Sequence, residues 1–464
     1  MKEFFYKYSD RQELTAIRTD SGSISYKNLF ELSDKIARNI NSILSTEQKY
    51  IPILSSNSSE LIIITIALWN LGLVPVPLNT RWTKTEISDV IFNNNFEIIL
   101  FKREFSDKLS SLSINKFSFD DLFNINSESF QKRFNDEAVV IFTSGSSAQP
   151  KGVVHTFDSL VNSILNGSKI LNQNIGDRWL ASLPFYHIGG FQIICRALSS
   201  GCEIIIPTDL RIESVKKSLF KFKPTHISLV AAQLKKLIEE NTIPGQTLKM
   251  SLIGGGFSED NLLLEAAQKG WNPIRVYGST ETASFVTAAT IEEIISKPNT
   301  VGRAVENVRI KISSEGEILI STKSLFKNYL NDNKASDEKI KNDFYHSGDL
   351  GKIDEEGYLF VEARRTDLIV SGGENINPIE VENALLKIPY IKEACVFPIQ
   401  DEHWGQIAAA ALVTDGIIDE EYLKNELKKN LAVFKIPKKF FFVDELSKTS
   451  LGKIQREKIR KMFI

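Results

Sequence analysis

A short hydroxyl-rich loop in the middle of the chain has the composition of a phosphate-binding site. Residues 143–151 read Thr-Ser-Gly-Ser-Ser-Ala-Gln-Pro-Lys and follow an apolar, strand-like run at residues 138–142. In such a loop, backbone N–H groups and hydroxyls can donate hydrogen bonds to phosphate oxygens, while Lys151 supplies a positive charge. The Walker pattern is not met, because Pro150 takes the place of its second glycine and Gly152 that of its Ser/Thr. The sequence therefore predicts a polyphosphate site that differs from the P-loop.

A second group of candidate residues combines a hydroxyl with a carboxylate. Residues 277–282, Tyr-Gly-Ser-Thr-Glu-Thr, follow the strand-like residues 274–276. Thr280 can contact a phosphate, and the Glu281 carboxylate is a suitable ligand for Mg²⁺. Residues 254–256 are three consecutive glycines after another strand-like run. Their bare backbone would let a flat ring lie close to the chain, although most glycine turns are structural.

Three further clusters lie nearer the C-terminus. Residues 347–349, Ser-Gly-Asp, offer one carboxylate that suits paired ribose hydroxyls. Residues 364–367, Arg-Arg-Thr-Asp, are followed by Ser-Gly-Gly at 371–373, and Lys453 comes directly after a glycine turn. Each cluster alone is typical of a surface turn, a solvated ion pair or a solvated basic run.

Alternating helical and strand-like segments must position these clusters. Residues 26–43 carry apolar side chains at helical spacing, residues 51–54 read as a short strand, and Asn57 or Ser58 can cap the helix that follows. This alternation predicts an α/β fold in which parallel sheets are covered by helices. Residues 106–137 are polar, and we expect them to form an irregular, exposed connection.

The residues from 367 onward have the pattern of a separate, small α+β domain. Asn377 followed by Pro378 predicts the start of a helix, with the asparagine as its cap. Residues 394–397 and 408–413 are expected to pair as strands.

Five of these motifs occur in an order that resembles the adenylate-forming superfamily. They are the phosphate loop, Tyr-Gly-Ser-Thr-Glu at 277–281, Ser-Gly-Asp at 347–349, Arg-Arg-Thr-Asp at 364–367 and Gly-Lys at 452–453. This superfamily includes acyl-CoA synthetases, luciferases and peptide-synthetase adenylation domains, and the resemblance runs from about Tyr26 to the end of the chain. It implies a large N-terminal α/β domain of mixed and parallel sheets flanked by helices (residues 1–366) and a small mobile C-terminal lid domain (residues 367–464). Two glycines of the family pattern are replaced, by Ala148 in the phosphate loop and by Ala363 before the Arg-Arg motif, which casts doubt on loop flexibility more than on binding.

The resemblance assigns a role to each cluster. The residues that would bind ATP are Thr143, Ser144, Gly145, Ser146, Ser147, Lys151, Gly254, Gly255, Gly256, Tyr277, Asp349 and Arg364. The residues that would act in catalysis are Lys453, Thr280, Glu281 and His187, with Glu281 as the Mg²⁺ ligand. Lys453 would bridge the substrate carboxylate and the α-phosphate. Asp367 would be the hinge about which the small domain turns, and Gly373 would lie near the incoming thiol of CoA.

The acid-binding pocket is expected between the phosphate loop and the glycine turn. His187 lies at the pocket entrance by family analogy, where a lone histidine would otherwise more often be structural, and Gly278 is a further candidate contact. Arg196 lies in residues 191–198, an otherwise apolar and helical stretch, and a buried guanidinium needs an anion. That anion is either a protein carboxylate or a second carboxylate on the substrate, unless the side chain reaches solvent.

Within the superfamily, the pocket is most similar to the o-succinylbenzoate–CoA ligases. The similarity lies in Leu-Pro-Phe-Tyr-His-Ile-Gly-Gly at 183–190, in Arg196 and in residues 228–234, with support from residues 77–81 and 371–376. It implies an AMP-forming acid–thiol ligase of menaquinone biosynthesis, with ATP, Mg²⁺ and CoA as cofactors or co-substrates. The alternatives are a CoA ligase for another aryl or medium-chain acid, and a non-catalytic binding protein with the same fold.

Composition and charge limit the partners and the cellular location that the chain can be expected to have. The chain has 464 residues, 42% of them hydrophobic, and a net charge of −2, which gives no electrostatic reason to expect nucleic acid. Its three cysteines lack metal or disulfide spacing, and the N-terminus lacks the pattern of a signal peptide, so a cytoplasmic protein is expected. Residues 61–78 are apolar but interrupted by Asn70 and two prolines, which favours a buried helix running into a strand over a membrane span. The oligomeric state stays open, a homo-oligomer included.

Overall fold

The computed structural model describes residues 2–44, 48–125, 127, 130–143, 150–256, 258–364, 369–371, 374–401, 405–416, 418–429, 431, 433–449 and 452–464. The chain forms two compact units. The larger unit comprises Met1–Arg309 and Ile320–Tyr345, and the smaller unit comprises Ile310–Leu319 and His346–Ile464. The expected domain boundary between residues 366 and 367 falls outside the described residues and stays a prediction.

The helices alternate with strands along most of the chain. They are α1 (Tyr26–Ile43), α2 (Ser59–Asn70), α3 (Lys84–Asn93), α4 (Phe119–Asn124), α5 (Phe157–Leu171), α6 (Ile188–Ser200), α7 (Ile212–Phe222), α8 (Ala231–Glu239), α9 (Asp260–Gln268), α10 (Ile291–Ser296), α11 (Asn333–Lys339), α12 (Pro378–Leu385), α13 (Glu420–Lys428) and α14 (Arg456–Arg460). Short 3₁₀ helices are found at Lys2–Tyr6, Arg103–Leu109 and Val433–Lys435.

The strands belong to five sheets. They are β1 (Thr15–Thr19), β2 (Gly22–Ser25), β3 (Tyr50–Leu54), β4 (Val74–Pro77), β5 (Ile98–Phe101), β6 (Asn115–Ser118), β7 (Glu137–Thr143), β8 (Lys151–Thr156), β9 (Arg178–Leu180), β10 (Glu203–Ile205), β11 (His226–Leu229), β12 (Met250–Ile253), β13 (Pro273–Tyr277), β14 (Thr287–Ala289), β15 (Arg303–Ala304), β16 (Arg309–Ile312), β17 (Glu317–Ser321), β18 (Asn328–Tyr329), β19 (Ile340–Lys341), β20 (Phe344–Ile353), β21 (Leu359–Arg364), β22 (Ile369–Ser371), β23 (Glu374–Ile376), β24 (Ile391–Asp401), β25 (Gly405–Thr414) and β26 (Lys439–Phe442).

The largest sheet of the larger unit has nine strands in the order β15-β14-β13-β12-β11-β9-β10-β1-β2. The strands from β13 to β1 are parallel neighbours, and the antiparallel strands β14, β15 and β2 lie at the two edges. Helices α7, α8 and α9 pack apolar side chains such as Val215, Leu234 and Leu263 against it. The predicted α/β fold with helix-covered parallel strands is therefore confirmed.

A second, fully parallel sheet has the order β4-β3-β5-β6, and the buried helix α2 connects two of its strands. All ten residues of α2 from Leu61 to Asn70 are buried, and each fully buried Leu or Ile contributes about 1.5–3 kcal/mol. Ser58 caps the helix by accepting a hydrogen bond from the Leu61 N–H, so the predicted buried helix and its cap are confirmed. Across the described part of the chain, no helix has the length and apolar character needed to span a membrane.

Residues 106–137 differ from the irregular connection that we expected. They contain β6, which pairs with β5, and α4, whose start is fixed by a capping box between Ser118 and Asp121. Phe119 and Leu122 of this helix are buried. The expectation was wrong because two well-placed apolar residues and a cap suffice for a short helix in a polar background.

The smaller unit contains a sheet in the order β23-β22-β25-β24, with β26 parallel to β25. The predicted pairing of residues 394–397 with 408–413 is confirmed by the antiparallel register of β24 and β25. Asn377 caps α12 with Pro378 at the helix start, as predicted. Apolar residues cover both faces of this sheet, so the unit has a core of its own.

Candidate active site

The phosphate-loop motif lies at the turn of a β-hairpin. Thr143 is the last residue of β7 and pairs with Lys151, the first residue of β8, and its Oγ1 donates to the Lys151 carbonyl over 3.4 Å. The intervening residues lie outside the described part of the chain, so the predictions for Ser144, Gly145, Ser146 and Ser147 remain predictions. The hairpin register nevertheless brings the two ends of the loop together.

The Lys151 ammonium contacts two side chains from a distant segment. It lies 3.2 Å from Asp332 Oδ2 and 5.2 Å from the centre of the Tyr329 ring. Asp332 is the N-cap of α11 and accepts from the Ala335 N–H, which with Lys151 lowers the pKa of its carboxyl. Both side chains of the ion pair are partly exposed, so the pair itself adds little stability.

The carboxylate of Glu281 contacts the same tyrosine. The Tyr329 hydroxyl donates to Glu281 Oε1 at 2.8 Å, and the Glu281 carbonyl accepts from the Phe326 N–H. Lys151 and Glu281 were proposed separately from two motifs 130 residues apart in sequence. The structure brings both into contact with one side chain, Lys151 at the face of the Tyr329 ring and Glu281 at its hydroxyl.

The segment that carries Thr280 and Glu281 is a tight reversal after β13. A Cβ on Gly278 would lie 2.1 Å from the Ser284 carbonyl oxygen, so only glycine fits there. Ala283 and Ser284 both have positive φ angles, of 53° and 90°. Such strained backbone persists only where surrounding contacts enforce it, and it is common at functional sites. Whether Gly278 also contacts a substrate stays a prediction.

His155 holds the chain reversal at residues 278–284 in place through the Thr280 carbonyl. We did not identify this residue from the sequence. Its Nε2 lies 2.7 Å from the Thr280 carbonyl oxygen and its Nδ1 lies 3.0 Å from Ser159 Oγ. Complete burial lowers the pKa of the imidazole to about 4, although the Thr280 carbonyl and the Glu281 charge favour the protonated form. A neutral ring that donates through Nε2 satisfies both contacts. A single histidine in an apolar strand carries no sequence signal for this role.

Because of this histidine, we expect the protein to lose stability in mild acid. An unfolded histidine has a pKa near 6.5. Between pH 6.5 and about 4, the unfolded chain therefore binds a proton that folded His155 does not. As the pH falls through this window, the unfolding free energy should decrease by up to about 1.4 kcal/mol per pH unit. Above pH 6.5 both states carry a neutral His155, and this loss of stability is absent.

Urea unfolding followed by tryptophan fluorescence at several pH values measures this loss. The control is His155→Gln, which keeps a donor for Thr280 but cannot titrate. Equal pH slopes for the two proteins would contradict a buried neutral His155.

The glycine turn lies at the same sheet edge as the Thr280–Glu281 segment. β12 and β13 are parallel neighbours, so Gly254 and Gly278 follow directly at the same end of the sheet. A Cβ on Gly254 would lie 2.7 Å from the Val276 side chain, whereas one on Gly256 would meet nothing within 4 Å. The first glycine thus permits close packing, and the third borders open space, as a bound ring would require. Tyr277 ends β13 at this edge.

His187 is the N-cap residue of α6, and its side chain makes no capping hydrogen bond. Its ring packs against Tyr186 with centroids 4.7 Å apart. Burial, together with the nearby Arg81 charge, lowers the pKa of His187 to about 4, so the ring is neutral. The preceding loop is held by Asn57, whose amide accepts from the Phe185 N–H and donates to the Leu183 carbonyl, each at 2.8 Å. Asn57 was predicted only as a possible helix cap.

Arg196 is buried in the third turn of the same helix, with 2% of its surface exposed. Its guanidinium lies 5.3 Å from the Trp179 ring and 5.9 Å from the Phe285 ring. Among the described residues it has no ion pair, and its Nε has no hydrogen-bond partner. Burial lowers its pKa to about 10, so it remains a cation near neutral pH. Thus no described carboxylate neutralises Arg196, and the side chain does not reach solvent.

The candidate ribose residues lie in the smaller unit. Asp349 on β20 stands directly opposite Arg364 on β21 in the antiparallel register. The Ser347 hydroxyl donates to the Ile318 carbonyl and accepts from the Asp349 N–H, and Gly348 has a φ of 75°. These contacts fix the position of Asp349 in the turn. Asp367 and Gly373 lie outside the described residues, and their roles stay predictions.

Lys453 lies in a short loop that is closed by its own backbone. The Thr449 N–H donates to the Lys453 carbonyl at 2.7 Å, and the Lys453 N–H donates to Thr449 Oγ1 at 3.1 Å. Arg456, just after the loop, donates to the Val396 carbonyl and to Glu382 Oε1, each at 2.7 Å. Arg456 thus anchors the end of the lysine loop to β24 through Val396 and to α12 through its largely buried ion pair with Glu382.

The described residues contain no cluster of three or more His, Cys, Asp or Glu side chains that could hold a metal ion. All three cysteines, at residues 195, 202 and 395, are buried thiols. A metal bound near Glu281 would therefore need most of its ligands from a substrate or from water. Mg²⁺ is commonly bound in this way, through one or two carboxylates and substrate phosphates.

Comparison with known proteins identifies the family. Residues 2–330 match the model of the AMP-binding enzyme family, and residues 380–453 match that of the AMP-binding enzyme C-terminal domain. The 2-succinylbenzoate–CoA ligase of Bacillus thuringiensis subsp. konkukian is 31% identical, with 97% of this chain and 95% of that protein covered. The ligase of the same name from Oceanobacillus iheyensis is also 31% identical, with 95% of each chain covered.

Solved structures agree with the sequence comparison. The o-succinylbenzoate CoA synthetase of Bacillus subtilis, in complex with the acyl-adenylate intermediate OSB-AMP, superposes with a TM-score of 0.92 at 28% identity over 99% of this chain and 98% of that chain. The same enzyme in complex with ATP and magnesium ion also gives a TM-score of 0.92 at 28% identity, over 99% of each chain. ATP-bound MatB from Rhodopseudomonas palustris gives 0.90 over 99% and 98% of the two chains at 24% identity, which shows the shared fold alone. The resemblance to adenylate-forming enzymes, and within them to the o-succinylbenzoate–CoA ligases, is confirmed, and this chain belongs to the AMP-binding enzyme family.

Proposed function

We propose that this protein is an AMP-forming acid–CoA ligase that converts 2-succinylbenzoate to 2-succinylbenzoyl-CoA in menaquinone biosynthesis. The observation that carries the reaction class is the convergence of Lys151 and Glu281 on Tyr329 at the end of the phosphate hairpin. A cation and a carboxylate held side by side suit a triphosphate with its metal ion. The similarity to 2-succinylbenzoate–CoA ligases along almost the whole chain supports the substrate.

The reaction has two balanced halves. A carboxylate oxygen of the acid attacks the α-phosphorus of ATP, and pyrophosphate leaves to give the acyl-adenylate. The CoA sulfur then attacks the acyl carbonyl, loses its proton, and AMP leaves with the electron pair of the broken C–O bond. Negative charge grows on the phosphate oxygens in the first half, so positive groups placed there in advance lower the barrier.

The chain's own groups divide this work. Lys151 and the hydroxyls of the phosphate loop would hold the β- and γ-phosphates, while Thr280 would contact the α-phosphate. Glu281 would hold Mg²⁺, which supplies charge neutralisation at the phosphates when bound. Gly254 to Gly256 and Tyr277 would receive the adenine, and Asp349 with Arg364 the ribose. Lys453 would act on the reacting carboxylate and the α-phosphate.

The acid would bind along α6. His187 caps this helix, and Arg196 is nine residues further on, a rise of about 13–14 Å along the axis. Because helical side chains point back toward the N-terminus, the guanidinium lies closer to His187 than this spacing suggests. We propose that one carboxylate reacts near His187 and that the other neutralises Arg196. The buried guanidinium, which has no anionic partner among the described residues, supports this assignment.

The cellular setting follows from the reaction. ATP and CoA are cytoplasmic metabolites, and the three cysteines are buried thiols, so we propose a cytoplasmic enzyme. The proposal needs no nucleic acid and no membrane span. A homo-oligomer is compatible with it.

Turnover of four acids tests the proposal. We expect kcat/KM for 2-succinylbenzoate to exceed that for benzoate, coumarate and octanoate by at least about 30-fold, since an unpaired buried charge costs about 2 kcal/mol or more. The measurement follows pyrophosphate release and thioester formation separately for each acid.

A monocarboxylate used equally well would favour the alternative ligase for another aryl or medium-chain acid. Nucleotide binding without turnover of any acid would favour the non-catalytic binding protein.

A further inference from the structure

Tyr329 occupies an unusual place between two opposite charges. Its hydroxyl donates to Glu281 Oε1, and the face of its ring lies under the Lys151 ammonium. Lys151 forms its ion pair with Asp332, and Glu281 forms none within the described part of the chain. Both charges contact one side chain, yet they do not pair with each other, although a hydrogen-bonded ion pair would be the stronger contact.

The position of Tyr329 is fixed by the backbone as well as by packing. It lies on β18, where it pairs with Val153 on β8, the strand that begins with Lys151. Its N–H donates to Ser336 Oγ at 2.8 Å, and its ring packs against Phe326 with centroids 4.7 Å apart. The side chain is 4% exposed. Backbone pairing and packing thus hold the tyrosine in place at the sheet edge.

We propose that Tyr329 is a positioning residue that keeps the Lys151 ammonium and the Glu281 carboxylate apart and separately available to a metal–nucleotide complex. The ring face attracts the ammonium by a cation–π interaction, and the hydroxyl holds one carboxylate oxygen. Among the described residues, none forms a hydrogen bond or an ion pair with the second oxygen of Glu281, so it is left for a metal ion. This inference rests on the proposed function, because it assumes that Lys151 and Glu281 meet nucleotide and metal.

Calorimetric measurement of ATP binding, in Mg²⁺ and in EDTA, can test separately the contact of the Tyr329 hydroxyl with Glu281 and that of its ring with Lys151. Tyr329→Phe removes only the hydroxyl, and we expect the gain in ATP affinity that Mg²⁺ provides to shrink about tenfold. Affinity for ATP in EDTA should stay within about twofold. The matched control is Tyr345→Phe, a buried tyrosine whose ring also packs against Phe326, 6.0 Å away, and which should behave like the wild type.

Removal of the ring tests the separation of charges. In Tyr329→Leu the ammonium and carboxylate can pair, so ATP binding in EDTA should weaken about tenfold. Adding Glu281→Gln removes the competing charge and should restore metal-free ATP binding to within about threefold of the wild type. A merely structural role for the ring predicts no such restoration.

Each outcome bears on one claim. An unchanged Mg²⁺ effect in Tyr329→Phe, or a Tyr329→Leu defect that Glu281→Gln fails to rescue, overturns the positioning role while the proposed ligase activity stands. A wild-type protein that binds no ATP overturns the proposed function and this inference together.

Discussion

Replacing Lys453 with alanine should slow pyrophosphate release from acid and ATP by about 10²–10³-fold, with little effect on thioester formation from supplied acyl-adenylate. The ammonium would offset the charge that develops as the carboxylate attacks the α-phosphorus. In the second half-reaction the adenylate already exists and the attacking group is a thiol, so this charge is no longer required. The two half-reactions are measured separately, by pyrophosphate release and by thioester absorbance.

Lys448→Ala is the matched control for this variant. Lys448 lies in the same loop and pairs with Glu393 at 2.6 Å, at a partly exposed site. Its removal costs at most a weak surface ion pair and should leave both half-reactions near the wild-type rates. Equal losses in both half-reactions for Lys453→Ala, or a comparable loss for Lys448→Ala, would contradict a role confined to adenylation.

Much of the fold could be predicted because its signals are local. Apolar patterns located helix α1 and strand β3 within one residue. Ser58 and Asn377 marked helix starts through the hydrogen bonds that their short side chains make to the next turn. Strand order in the nine-stranded sheet depends on contacts between distant segments, and no local pattern specifies it.

The candidate site shows the same division. The motifs that carry Lys151 and Glu281 are short runs in which the residue types alone indicate phosphate and metal binding. Tyr329, Asp332 and His155 belong to no such run, and each acts through a partner that the sequence places far away. Their roles arise from the pairing of β18 with β8 and of β8 with β7, which only the folded chain displays.

The sequence identified Arg196 as a buried cation, but it did not predict the side chains that surround the guanidinium. The apolar stretch around Arg196 allowed a partner carboxylate, an exposed end or a substrate anion, and only the resemblance to ligases of a diacid favoured the substrate. The structure removes the first two for the described residues, since the guanidinium is buried between two aromatic rings without an ion pair. A buried cation that the protein does not neutralise is costly, so its retention favours a bound anion.

Arg196→Met should therefore separate function from stability. The variant should lose about 2–5 kcal/mol of binding free energy for 2-succinylbenzoate, because the second carboxylate would be buried without a cation. ATP binding should change little. The unfolding free energy should be maintained or raised, because methionine fills a similar apolar space without the cost of a buried charge. Calorimetric titration and urea unfolding measure the two quantities.

A second variant, Arg196→Lys, separates the effect of the charge from that of the planar guanidinium. It keeps the charge but loses the planar group that stacks on Trp179 and Phe285, so it should retain part of the diacid affinity and lose stability. If Arg196 contacts the substrate, the two variants should show opposite patterns. Arg196→Met should keep its unfolding free energy and lose affinity for 2-succinylbenzoate. Arg196→Lys should keep part of that affinity and lose unfolding free energy. If methionine instead destabilises the protein and leaves the preference for 2-succinylbenzoate over benzoate intact, Arg196 is a structural residue and the second carboxylate binds elsewhere.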